Sequence, residues 1–346
     1  MKTGRLVAIT IFALLAFAAA AGGQPLRGPN GFYLQDCTIP AGQIVRGGPR
    51  RDSIPALTRP RLLPARANFF LRPDDPVIGV AVTDEARAYP LQILVWHEVV
   101  NDMLGGRPIA VTDCPLCHSA ITFDRLAGGQ VREFGVSGLL WNSNLLIYDR
   151  RPFGLPESLW SQAAMKAVCG PEARRGTELT PLASELVSWE NWRTRYPETT
   201  VISPQTGYRR NYAYNPYAEY FASEWLMFPI TATPEDLAPR PPKERMLVVR
   251  VGGSVKAYAM SDVAEAAGED DTFTDSIGDS AVKFTYDRQS NHARAEPAES
   301  TDEDTVFGTA YMFWFAWRSI YPNGEVYSIP ETAEDKNGEG TDGQEE

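Results

Sequence analysis

Histidine is scarce in this sequence: His97, His118 and His292 are the only three in 346 residues. A Ser-His-Asp hydrolase would have to use one of them, and none accompanies a serine motif. A nucleophile elbow, a phosphate loop and a zinc-protease helix motif are all missing. Basic charge is in deficit, with 33 Lys and Arg against 44 Asp and Glu and a net charge of -11. That excludes the cationic surface needed to bind nucleic acid. After Ala21 no apolar run approaches the roughly 20 residues that cross a bilayer, and the apolar stretch from Met312 to Trp317 is far too short. Cysteine is limited to Cys37, Cys114, Cys117 and Cys169. A chain of this size does not need disulfide staples to fold.

What is present begins with an export signal. Lys2 and Arg5 precede an apolar run from Leu6 to Ala21 that ends in small residues. That order of charge, apolar core and small-residue exit is a secretory signal over residues 1–23. It predicts a periplasmic or secreted protein with no membrane span after cleavage. Residues 24–76 are rich in proline and arginine and read as an extended lead-in. Acidic runs around residues 268–275, 296–304 and 331–346 read as solvated loops and tail, with residues 329–346 expected to be disordered.

From Val77 the pattern is strand-like: Val77 to Val82, Ala86 to Tyr89, Pro108 to Thr112, Ala120 to Asp124, Val131 to Val136 and Leu145 to Tyr148. Pro90 can open a short helix toward Trp96, with His97 to Asn101 extended after it. The chain also contains a diverged repeat. Residues 77–89 align without gaps to 246–258, both reading strand, turn, basic residue, Ala-Tyr. Trp189, Trp192, Arg193, Tyr196, Pro197, Val201 and Ser203 recur at one spacing as Trp314, Trp317, Arg318, Tyr321, Pro322, Val326 and Ser328. Asp102 to Gly105 resembles Asp275 to Gly278. Where one copy has Cys114-Pro115-Leu116-Cys117-His118, the other has Asp287-Arg288-Gln289-Ser290-Asn291. The expected fold is mainly β, an α+β chain with short helices, in two diverged repeat halves packed as one globular unit. Residues 77–203 form the first repeat, 204–244 a connector and 245–328 an eroded second repeat.

Several segments together resemble a known family. They are Ile54 to Thr58, Arg87 to Leu91, Trp96 to Asp102, Cys114 to Cys117, Ser137 to Leu139 with Asn142 to Asn144, Tyr148 to Arg150, Ser158 to Gln162 and Phe313 to Trp317. They look like the bacterial and archaeal proteins grouped as domain of unknown function 3179, over about Ile54 to Ser328. The resemblance implies no activity. The chain departs from the family pattern at His118, where a small residue such as glycine is expected, and in its eroded second copy.

The Cys-Pro-Leu-Cys cluster, carried by the first copy alone, is the candidate site. A thioredoxin-like dithiol would place the first sulfur at a helix N-terminus, but Ala120 to Phe123 leads out as a strand. A metal knuckle on a tight turn is the other chemistry. Structural zinc sites use two such pairs, and the second copy lacks its pair, so other ligands are needed. His97 is the best placed, with Glu98 and His118 behind it. Cys114, Cys117 and His97 would suit copper or zinc, soft ligands favouring copper(I). Asn142, Ser143, Asn144, Trp160 and Gln162 are candidates to line a pocket beside the cluster. The plainer readings stay open: an oxidised or buried cysteine pair, a satisfied structural His97, surface His118 and His292, turn-capping asparagines, and Cys169 as a buried hydrophobe or a partner for Cys37. The leading expectation is an exported protein with a metal or thiol site, acting on a small molecule or an exported protein partner. The alternatives are a thiol-disulfide oxidoreductase and a non-enzymatic binding module with a structural cysteine clip.

Overall fold

A computed structural model describes residues 28–48, 50–152, 154–299 and 305–330. The expected signal segment, and residues 331–346 of the acidic tail, lie outside them. The chain is mainly β with short helices. Its strands form sheets of eight, five, five, three and two. No helix among the described residues is long and apolar enough to cross a membrane.

The segments that repeat in sequence repeat in pairing. Strands Glu185–Ser188, Pro76–Val82, Glu85–Pro90 and Thr200–Ile202 lie side by side in that order. Strands Phe307–Phe313, Arg245–Val251, Ser254–Ala259 and Glu325–Val326 do the same. Registers correspond residue for residue: Val77 faces Pro90 as Met246 faces Ala259, and Val201 faces Ala88 in parallel as Val326 faces Ala257. In each four-strand unit a meander lies between the second and third strands in chain order. The first is Val99–Leu104, Arg107–Cys114 and Ser119–Asp124; the second is Thr272–Ile277, Ser280–Asp287 and His292–Pro297. Cys114 faces Ser119 as Asp287 faces His292.

Buried polar contacts correspond as well. Tyr89 donates to Asp102 at 2.9 Å and Arg87 pairs with the same carboxylate at 2.6 Å. Tyr258 donates to Asp275 at 2.7 Å and Lys256 pairs with it at 2.8 Å. The paired tryptophans are core: Trp192 packs on Tyr196 at 4.2 Å between ring centroids, and Trp317 on Tyr321 at 4.5 Å.

The two meanders are used differently. The first pairs with the second four-strand unit, Ile121 against Ala310 and Ala120 against Tyr311, and so completes the eight-stranded sheet. The second remains a separate three-stranded sheet. Strand alternation then sorts side chains to the two faces of the large sheet. Ile109 and Val111 enter one buried cluster; Ala110, Cys114 and Cys117 enter the other.

Between its meander and its closing strand the first copy carries a further sheet, Phe134–Trp141, Asn144–Asp149, Leu159–Ser161 and Lys166–Cys169, edged by Val45–Arg46. The lead-in thus supplies edge strands to three sheets, through Val45–Arg46, Leu57–Thr58 and Leu62–Pro64. The continuous strand expected over Val131 to Val136 is broken. Gln130–Val131 closes a small hairpin on Leu126–Ala127, and the next strand starts at Phe134. That strand bulges between Val136 and Leu139, where Gly138 takes φ +71°. Cys37 and Cys169 form a disulfide that ties the lead-in to this sheet.

Arg87 and Asp102 are 6% and 5% exposed. Removing one member of such a pair strands a buried charge. Asp102→Ala is expected to cost about 3–5 kcal/mol in urea unfolding. Asp275→Ala, at a more open pair, is expected to cost about 1 kcal/mol or less. Equal losses would contradict this account of the two pairs.

Candidate functional site

The site is built on the hairpin between Arg107–Cys114 and Ser119–Asp124. Its turn closes with Cys117 N–H donating to Cys114 O at 3.3 Å and with His118 at φ +48°. That left-handed conformation favours glycine or asparagine, and Asn291 holds the corresponding place at φ +51°. The small residue expected at position 118 is therefore what the backbone prefers there. His118 is itself packed between Phe221 and Phe313, each 5.3 Å away between ring centroids. Burial, with Arg245 nearby, lowers its pKa to about 4.

Cys114 and Cys117 are free thiols, 2% and 0% exposed. Two carboxamides serve the second sulfur, Asn144 directly and Gln162 through Ser119. Ala163 N–H donates to Asn144 Oδ1 at 3.0 Å, which fixes the amide so that its Nδ2 faces Cys117 Sγ at 3.1 Å as a donor. Gln162 Nε2 donates to Thr112 Oγ1 and to Ser119 O, both at 2.9 Å. Its Oε1 accepts Ser119 Oγ–H at 2.5 Å. Ser119 Oγ also lies 3.1 Å from Cys117 Sγ. With its proton on Gln162 it accepts the thiol S–H, and with the hydroxyl rotated it donates to a thiolate. Burial pushes the Cys117 thiol up, but hydrogen bonds from Cys114, Ser119 and Asn144 outweigh it, and its pKa falls below the ordinary value. Burial and the neighbouring Cys117 sulfur push Cys114 well above it.

Two buried carboxyls share this environment. Glu98 ends the turn after helix Leu91–Leu94 at φ +58°, a conformation that costs a non-glycine residue on the order of 1 kcal/mol. Its N–H donates to Leu94 O and its carbonyl accepts Asp113 N–H. Burial, and beside it Cys117, raises the Glu98 pKa to about 8. Burial, Cys117 and Glu98 together raise Asp113 well above the carboxylate range. The connector covers the site: Tyr220 OH donates to Leu116 O at 2.7 Å, and Tyr217 and Phe221 pack on the cluster that contains the cysteines.

The remaining candidates separate. His97 does not join the thiols. Its Nδ1 lies 2.7 Å from Pro55 O, which can only accept, so that nitrogen carries the proton. Its Nε2, 2.7 Å from Tyr212 OH, then accepts. With both nitrogens engaged, His97 is a structural histidine, and the three-residue ligand set of Cys114, Cys117 and His97 is not assembled. Among the described residues no group of three or more His, Cys, Asp or Glu side chains is placed to hold a metal ion. Asn142 and Ser143, at φ +53° and +60°, form the two-residue hairpin loop that brings Asn144 opposite Trp141. The Asn142 amide ties Ser319 to Thr231, and Ser143 meets Cys114 through its carbonyl alone. Trp160 donates to Asp149. Sequence reasoning missed Ser119, Thr112 and Asp113. Ser119 and Thr112 carried a signal, since strand alternation from Cys114 places both on its face.

Together these features define a β-rich protein with a dry dithiol centre braced by carboxamides. The family model described as Protein of unknown function (DUF3179) matches residues 51–324, and the chain belongs to that family. No curated protein and no solved structure matches it.

Asn144→Ala removes a donor to the Cys117 sulfur. The Cys117 pKa, read from thiolate absorbance against pH, is expected to rise by about one unit or more. An unchanged value in a folded variant would remove Asn144 from this role.

Proposed function

We propose that Cys114 and Cys117 are a thiol–disulfide redox pair in an exported protein, with Cys117 as the attacking sulfur and Glu98 as the proton acceptor. The observation that carries this reading is the asymmetry of the pair. One thiol is furnished with donors that stabilise its anion. The other is kept protonated beside a carboxyl with a pKa of about 8, close to the range where proton transfer at neutral pH is efficient. Cys117 thiolate attacks a substrate disulfide and expels one thiolate, which takes up the proton Cys117 had lost. Cys114 then passes its proton to the Glu98 carboxylate and attacks Cys117 Sγ. The second leaving thiolate takes that proton. Dithiol and substrate disulfide become an intramolecular disulfide and two thiols. The covering connector must move for any substrate larger than the cavities beside it.

Export is supported by the basic-then-apolar start of the sequence and by the Cys37–Cys169 disulfide, a bond that persists in oxidising compartments. Descent of the two halves from one duplicated unit is supported by their shared registers. A second reading has one observation in its favour. Both sulfurs lie on a single tight turn in an apolar cluster, a setting for two-coordinate binding of a soft monovalent cation such as copper(I). Copper or zinc that co-purifies and disappears in a Cys114→Ser/Cys117→Ser variant would favour it.

The redox reading is tested by trapping. Cys114→Ser treated with bis(2-hydroxyethyl) disulfide is expected to retain one adduct on Cys117, located by mass spectrometry. In a Glu98→Gln background the wild-type pair is expected to close about a hundredfold more slowly near pH 7, the low end of the usual effect of an acid–base group. Absence of any adduct on Cys117 under conditions that modify a control thiol would overturn the proposal.

A further inference from the structure

Beside the hairpin lies a cavity of about 330 Å³ that the redox chemistry does not use. That volume is at the lower end for small-molecule sites. Asp113, Asp75, Gln92, Asn215, Tyr212 and Phe221 are among its lining residues. Asp113 is 3% exposed, and its carboxyl makes no hydrogen bond to any described residue. Gln92 Nε2 is buried and likewise without a partner. An ionisable side chain so deeply buried and facing a void unpaired is costly unless something compensates it.

The charge of the lining is one-sided. Among the described residues no lysine or arginine borders the cavity, and His118, which does, is held neutral by burial and Arg245. Two carboxyls are too few for a hard metal ion, which takes six or more oxygens or keeps its water. The remaining walls, Leu91, Val95 and Phe221, suit an alkyl chain, and the Phe221 ring adds attraction for a cation.

We propose that this cavity binds a small organic ammonium ion, with Asp113 carboxylate as its counter-charge and its alkyl part against Leu91, Val95 and Phe221. Asp113 faces Glu98 and Cys117 from the neighbouring turns, Tyr217 from the connector, and Asp75, His118 and Tyr212 across the cavity. All are neutral or acidic at pH 7. A bound ammonium therefore ionises Asp113 and expels its proton to solvent.

The experiment is titration calorimetry of the mature protein with butylamine, and with butan-1-ol as the uncharged analogue. Butylammonium is expected to bind with release of about one proton per site. Its affinity should tighten by up to about tenfold per pH unit while free Asp113 remains protonated. The alcohol should not bind, and Asp113→Asn should weaken the amine at least tenfold. Equal binding of amine and alcohol, amine binding without proton release, or full affinity in Asp113→Asn would overturn the proposal. If Asp113→Asn does not fold, proton release and the alcohol comparison decide. The Cys114→Ser/Cys117→Ser variant should bind butylammonium with the same proton release, so failure of the redox chemistry and failure of this site are read separately.

Discussion

Two buried carboxamides govern what the cysteine turn can do. A thiol taken out of water resists ionisation, and among the described residues no lysine or arginine side chain donates a hydrogen bond to either sulfur. Asn144 replaces solvent at Cys117, and Gln162 holds the Ser119 hydroxyl beside the same sulfur. Each amide is oriented by a backbone or hydroxyl partner before it reaches the site, so its direction is settled by the fold. The added sheet of the first copy exists, from the site's standpoint, to deliver these groups. Its bulge at Ser137-Gly138 and its left-handed Asn142-Ser143 loop set the register that puts Asn144 over the sulfur. The second copy has no such sheet. There Thr285, the counterpart of Thr112, keeps a buried hydroxyl with no partner.

The same comparison shows what the two halves share and what they do not. Both halves provide a hairpin with a left-handed residue closing its turn, at His118 and Asn291, and a left-handed acidic residue on the preceding turn, at Glu98 and Asp271. The backbone frame is shared, whereas the thiols and their donors belong to the first. Asp271 is surface-accessible and bonded to Arg288, and Glu98 is sealed beside Cys117. Burial, not residue type, turns a common carboxylate position into one that titrates near neutral pH.

Much of the frame was legible in the sequence. The Ala-Tyr and Trp-Trp-Tyr-Pro spacings predicted correspondences that the strand registers repeat, because period-two patterns fix which face each side chain takes. The cysteine turn between two strands was legible for the same reason. His97 was not. A histidine near a cysteine pair in sequence gives no sign that its two nitrogens are claimed by Pro55 and Tyr212, one of them 115 residues away. The Asn144 and Gln162 contacts cross between sheets, and the connector's cover comes from residues with little periodic pattern. These are long-range packing outcomes, which local pattern does not encode. The Cys37–Cys169 pairing is of the same kind, since it depends on how the lead-in crosses the added sheet.

The most direct measurement is a redox titration of the folded protein in thiol–disulfide buffers, with each poise quenched and read by mass. The account predicts a reversible two-electron oxidation, with loss of two protons to the reduced buffer thiols, confined to Cys114 and Cys117, with Cys37–Cys169 intact throughout. Cysteines 114 and 117 that stay reduced in the folded protein at every poise would contradict it.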